Sequence, residues 1–199
     1  MTDKRRSMTP AKILALSGSS RRDSLNSRLL RAAAAMLEEA GAEVTLADLA
    51  EYEMPLYNGD LENRDGPPEN QACLKALFRD HAGLLIAAPE YNSSITPLLK
   101  NTIDWVSRPT PGDDGPSPYR GKIAALLAAS PGALGGLRGL AHVRQILTTL
   151  GVIVLPQQQA LPRAGSAFDE AGGLADERTA DGVRSLCDAL VDAVRRWQD

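Results

Sequence analysis

Residues 11–199 read as an α/β domain in which a parallel β-sheet is wrapped by helices. Three observations predict this class. Short apolar runs alternate along the chain with segments of helical period. Two of those runs, 83–88 and 123–129, are apolar without interruption, as strands covered on both faces must be. The strand-then-helix order recurs five times, which a bundle or a sandwich would not produce.

The elements follow in order. A short buried run predicts the first strand over 13–16. Leu29, Leu30, Ala33, Met36 and Leu37 then recur at helical spacing and stop at Gly41, a residue suited to the left-handed position past a helix end. The alternating run 42–46 is the second strand, and Cys73, Leu74, Leu77 and Phe78 mark the next helix. After the third strand, 83–88, Thr96 and Pro97 form an N-cap with proline at the first helical position. That helix runs through Leu98, Leu99, Ile103 and Val106 and closes at Pro109. The fourth strand, 123–129, precedes a helix of Leu140, Val143, Ile146, Leu147 and Leu150 ended by Gly151. A β-branched run over 152–155 is the fifth strand, and Val183, Leu186, Leu190, Val191, Val194 and Trp197 form the last helix.

Stretches 53–68 and 109–120 have neither period and read as surface loops. Within 156–175, the polar run Gln157, Gln158, Gln159 is compatible with either strand or loop. Residues 1–10 carry Lys4, Arg5 and Arg6 without a following apolar run, so they read as a disordered arm rather than a secretory leader.

At 199 residues the chain has room for one domain of ordinary size, since single cores run to roughly 100–200 residues. With 43% AVILMFWYC and 24% DEKR the composition is globular, and wholesale disorder is a poor reading. A formal charge of −3 provides no global basic excess for nucleic acid or anionic lipid, so any anion site must be local. No apolar stretch approaches the roughly 20 residues of a membrane helix. Cys73 and Cys187 lie far apart, which fits reduced thiols and predicts a cytoplasmic protein. His81 and His142 are isolated, and no metal-ligand spacing or nucleophile elbow occurs.

Ligands of open α/β sheets bind beyond the carboxyl ends of the strands, which directs attention to three loops. After the first strand, Ser17-Gly18-Ser19-Ser20-Arg21-Arg22-Asp23-Ser24-Leu25-Asn26-Ser27 offers hydroxyls, an amide, guanidinium groups and helix N-terminal N–H groups. A phosphate fits such a set. Neither GxxxxGK(S/T) nor GxGxxG is present, which argues against triphosphate hydrolysis and a Rossmann dinucleotide. The same loop also fits a plain helix cap. After the third strand, Pro89-Glu90-Tyr91-Asn92-Ser93-Ser94 forms a tight turn whose backbone groups suit the edge of a planar heterocycle, or an ordinary βα connection. After the fourth, Ser130 to Gly139 holds Gly132, Gly135, Gly136 and Gly139, which permit close approach to a ligand or simply flex.

Taken together, Gly18-Ser19-Ser20-Arg21-Arg22-Asp23-Ser24-Leu25-Asn26, Pro89-Glu90-Tyr91-Asn92, Leu99-Lys100-Asn101-Thr102-Ile103-Asp104-Trp105, Ser107-Arg108-Pro109 and the glycine-rich loop resemble the NAD(P)H-dependent FMN reductase family. That flavodoxin-like group includes quinone, azo and chromate reductases. The resemblance runs from about residue 12 to 197 and takes in Phe168-Asp169-Glu170. It implies a three-layer, doubly wound, five-stranded parallel sheet of order 2-1-3-4-5. It also implies that Ser19, Arg21, Ser24, Asn26 and Ser27 hold the FMN phosphate, with Arg22 as the alternative guanidinium. Pro89, Glu90, Tyr91, Asn92 and Ser93 would line the isoalloxazine edge, with Ser130 and Gly132 on the other side. Trp105 reads as structural. The loop 110–119 is longer than the family's usual one.

The flavin then carries the redox chemistry, and no catalytic side chain is named. NADPH or NADH would deliver a hydride to the flavin, and a quinone-like, azo, flavin or metal-oxyanion acceptor would receive the electrons, in ping-pong order. Two other readings stand beside this one: a flavodoxin-like electron carrier or FMN sensor, and a phosphate-ligand binder of another class. A single small domain would cover one ring face only, so a homodimer or homotetramer is expected.

Overall fold

The computed structural model describes residues 10–110, 115 and 117–198. The arm expected over 1–10 lies, but for Pro10, outside the described residues, as does part of the 110–119 loop. The chain runs β1 (Ala11–Ser17), α1 (Leu25–Glu39), β2 (Ala42–Ala47), α2 (Gly59–Asp65), α3 (Glu69–Asp80) and β3 (Gly83–Ala87). It continues through β4 (Glu90–Tyr91), β5 (Ser94–Ile95), α4 (Pro97–Ser107), β6 (Ile123–Ala129), α5 (Leu137–Thr149), β7 (Ile153–Leu161) and α6 (Glu177–Gln198).

Five strands form one parallel sheet in the order β2-β1-β3-β6-β7, the 2-1-3-4-5 arrangement when only these strands are counted. Each of the three central strands faces two cores, because successive side chains of a strand point to opposite faces. Ile13, Ala15, Leu85, Ala87, Ala125 and Leu127 pack with Leu29, Leu37, Leu190 and Val194 of α1 and α6. Leu14, Leu16, Leu84, Ile86, Ala124 and Leu126 pack with Leu74, Phe78, Leu99, Val106, Leu140 and Val143 of α3, α4 and α5. Two apolar faces explain why these strands read as continuous apolar runs.

The predicted caps hold. Gly41 is left-handed (φ +81°) just past α1, and the Thr96 hydroxyl accepts the Leu99 N–H at 3.2 Å with Pro97 opening α4. One expectation is corrected and two are refined. The 53–68 stretch contains α2, capped by the Asn58 side chain, which accepts the Asp60 N–H at 2.8 Å. None of its seven residues is buried, so it has no apolar period to read. The tight turn expected after β3 is the tip of an antiparallel hairpin, β4–β5. The glutamine run belongs to β7, which is longer than 152–155. Ala124 pairs with Val154 and Leu126 with Gln158, leaving Leu155, Pro156 and Gln157 bulged opposite Ala125. Proline and a bulge are tolerated on an edge strand, and the Arg144 guanidinium straps this one to the Leu155 carbonyl (2.7 Å) and Gln158 Oε1 (2.9 Å).

Candidate active site

The loop after β1 starts with an enforced glycine. Gly18 donates to the Ala87 carbonyl at 2.9 Å, and its own carbonyl accepts the Thr96 hydroxyl at 2.6 Å. A Cβ there would lie 2.9 Å from Leu99 Cβ and 3.2 Å from Pro89 Cδ. The loop is thereby stitched to β3 and to α4. Ser24 caps α1, its hydroxyl accepting the Ser27 N–H at 3.2 Å, and the Ser27 hydroxyl donates to Ser17 Oγ at 3.2 Å. The first-turn N–H groups of Leu25 and Asn26 have no acceptor within the helix. No acidic residue sits in that turn, so the positive end of the helix dipole is uncompensated by a side chain there.

Asn26 is buried, and both ends of its amide bond the same residue. Nδ2 donates to the Ala129 carbonyl at 2.8 Å, and Oδ1 accepts the Ala129 N–H at 2.9 Å. The side chain therefore ties the loop to the end of β6, which leaves the second Nδ2 hydrogen and the backbone N–H for a ligand. Arg21 and Arg22 are both exposed, and neither guanidinium has a protein partner among the described residues. Only Arg21 lines the cavity described below.

In the hairpin, Glu90 pairs with Ile95 and Tyr91 with Ser94, leaving Asn92 and Ser93 as a two-residue turn with φ of 50° and 68°. Positive φ at both positions is the type I′ geometry, favourable for Asn and unusual for Ser. The Glu90 carboxylate turns away from the turn: it accepts the N–H groups of Arg138 (3.0 Å) and Gly139 (3.1 Å) and the Arg138 Nε–H (2.8 Å). Burial pushes this carboxyl up, but the Gly139 and Arg138 N–H groups and the guanidinium outweigh it and hold it below the usual glutamate range.

The glycine-rich loop passes close under its neighbours. At Gly136 (φ +92°) a Cβ would stand 2.7 Å from Ala128 Cβ, and at Gly135 2.6 Å from the Leu161 backbone. Ser130 Oγ accepts the Gly132 N–H at 3.1 Å, closing a small turn at the end of β6.

These three loops meet around a cavity of about 90 Å³ at the carboxyl edge of the sheet, walled by Ser19, Arg21, Ser24, Asn26, Pro89, Glu90, Tyr91 and Ser130. Of the residues predicted from sequence, Ser27, Asn92, Ser93 and Gly132 do not line it. Hydroxyls, a guanidinium and free helix N–H groups suit a phosphate, which such a volume can take, while a three-ring heterocycle would extend over the open mouth. A groove of about 720 Å³ between α4 and α5 is larger but lacks this donor set.

Residues 11–166 match the family model of NADPH-dependent FMN reductases. The chain belongs to this family. It is 38% identical over 186 residues to an NAD(P)H-dependent FMN reductase of Pseudomonas aeruginosa, covering 93% of this chain and 96% of that one. A quinone reductase of Pseudomonas putida is 35% identical over 90% of each chain. The flavoenzyme NAD(P)H:(acceptor) oxidoreductase FerB of Paracoccus denitrificans has a similar structure, with a TM-score of 0.80 at 29% identity over 94% of this chain and 98% of that one. The FMN reductase family member described here is thus an oxidoreductase with FMN and a nicotinamide dinucleotide as its cofactors, on a flavodoxin-like sheet.

The stretch Leu99 to Trp105 has a role that motif reading missed. Asn101 and Trp105, four residues apart, share one face of α4. Asn101 accepts the Tyr57 N–H at 2.8 Å and donates to the Pro55 carbonyl at 3.0 Å; Trp105 Nε1 donates to the same carbonyl at 2.7 Å. Tyr57 packs edge-on to Trp105, and its hydroxyl reaches Glu62, which pairs with Arg108 at 3.0 Å. The pair thus clamps the segment before α2, and Trp105 is structural as expected: it is fully buried.

Proposed function

We propose that this FMN reductase family member takes a hydride from NADPH or NADH and passes electrons to a small acceptor of the quinone class, both substrates using one open mouth in turn. The observation that carries this reading is the convergence of the three loops on one cavity whose donors suit a phosphate. Ser19, Ser24, the Arg21 guanidinium and the N–H groups of Leu25 and Asn26 would hold the FMN phosphate, and the hairpin and Ser130 would border the ring. When bound, FMN supplies the two-electron chemistry, so the chain needs no acid, base or nucleophile of its own. Its residues orient: Gly18 and Thr96 fix the phosphate loop to α4, Asn26 fixes it to β6, and Glu90 fixes the hairpin to α5. The name of the Pseudomonas putida relative, a quinone reductase, supports the acceptor class.

A yellow purified protein that bleaches within seconds of anaerobic NADPH addition, with parallel initial-rate lines for NADPH and a benzoquinone, is the expected outcome. A colour that persists would favour the carrier reading, and intersecting lines would remove the shared mouth.

The same reading includes a second copy over the mouth. Tyr91 on the cavity wall, Leu134 in the glycine-rich loop and Leu137 at the start of α5 are 47, 50 and 46% exposed, apolar side chains that a second copy would cover. Size-exclusion chromatography with light scattering is expected to show a dimer or tetramer; a monomer at micromolar concentration would count against it.

A further inference from the structure

Helix α5 begins without a cap of its own. The residue before it is Gly136, which has no side chain to accept a first-turn N–H. Glu90 fills that role from another loop: one carboxylate oxygen accepts the N–H groups of Arg138 and Gly139, and the other takes the Arg138 guanidinium at 2.8 Å through Nε and 2.5 Å through Nη2. The carboxylate side chain is 7% exposed. Space enforces the arrangement, because a Cβ on Gly139 would come within 3.3 Å of Glu90 Cβ and one on Gly136 within 2.7 Å of Ala128. A negative charge at a helix N-terminus is stabilising, and a charge-assisted, partly desolvated pair is stronger than a neutral one.

The hairpin and the glycine-rich loop are the two walls assigned to the ring, and this carboxylate joins them. Resting on that assignment, we infer that Glu90 is a positioning residue for the flavin ring, acting through Arg138 and the first turn of α5 rather than by a side-chain contact with the cofactor. The phosphate loop is held by other bonds, those of Gly18, Thr96 and Asn26, so Glu90 bears on the ring seat and not on that loop.

That division is testable by comparing FMN with riboflavin, which keeps the ring and lacks the phosphate. Glu90→Gln preserves size and removes the charge. By flavin-fluorescence titration it should weaken FMN and riboflavin by the same factor, roughly tenfold, since hydrogen bonds to a charged group are lost from the wall and not from the phosphate loop. Arg21→Ala should weaken FMN and leave riboflavin unchanged. Arg138→Met keeps both backbone bonds to the carboxylate and removes only the guanidinium, so it should weaken both flavins by a smaller common factor. It also carries the test if Glu90→Gln does not fold by circular dichroism. The visible band of bound FMN should shift in both wall variants, a signature that loss of stability alone would not give. Wild-type affinity for both flavins in the folded wall variants, or a loss confined to FMN, overturns the inference. A wild-type protein that takes up no FMN overturns the proposed function itself.

Discussion

Two irregular segments at the same edge of the sheet treat their polar groups in opposite ways. In residues 53–58 side chains of α3 and α4 take up main-chain groups: Asn70 takes the Glu53 carbonyl (2.9 Å), Asn101 and Trp105 take Pro55, and Asn101 takes the Tyr57 N–H. In residues 17–27 the bonds stop short. Gly18, Asn26 and Ser27 are tied down, whereas the Arg21 guanidinium and the first-turn N–H groups of α1 are left facing the cavity. An ordered segment whose carbonyls are taken up by neighbouring side chains is scaffold. One that leaves donors unpaired around a cavity keeps them available to an anion.

The contrast can be broken most severely at the clamp. Trp105→Ala removes a fully buried ring together with its bond to Pro55, and should cost roughly 3–5 kcal/mol in chemical denaturation. A loss near zero would mean that the 53–58 segment is not held from α4. Asn26→Ala tests the engaged part of the 17–27 loop: it strands both polar groups of Ala129 and should cost about 2 kcal/mol, read as a lower melting temperature of the apoprotein. Arg21→Ala tests the unengaged part. Folding stability should stay within about 0.5 kcal/mol, while FMN affinity falls about tenfold or more for a lost charge-assisted phosphate contact. Arg22→Ala, outside the cavity, should leave affinity unchanged.

The smallest effect concerns acid. Arg108 holds the Glu62 carboxyl down through its hydrogen bond, against burial, and Glu90 is held down as described. Both folded-state values lie below the ordinary 4.5, so their contribution is complete above that pH and is lost as pH falls below it, where the unfolded chain takes up protons first. Denaturation midpoints of the double variant Glu62→Gln, Glu90→Gln should therefore show a flatter acid limb than wild type; identical limbs would mean that neither pair survives in solution.

Much of the architecture was legible in the residues. Parallel strands buried on both faces need continuous apolar runs, and Thr96-Pro97 and Gly41 mark helix ends for local reasons. Helix α2 was not legible, because a helix with no buried face has no period, although Asn58 followed by Asp60 and Glu62 is a cap signal that could have found it. The hairpin at Asn92-Ser93 escaped because its strands are two residues long. Of the site, the three loops were found from their composition and place. The engaged roles of Asn26 and Glu90 were not, since the same Asn or Glu reads equally as ligand contact or as brace until its partner is known.

Local chemistry written in the chain determined most of the segments that become strand or helix and which loops carry groups suited to an anion. Tertiary structure alone decided which of those groups remain available. Ala129 lies 103 residues from Asn26, and Arg138 lies 48 from Glu90. A hydrogen bond over such a separation depends on the packing of sheet and helices, and not on any pattern within reach of a local reading.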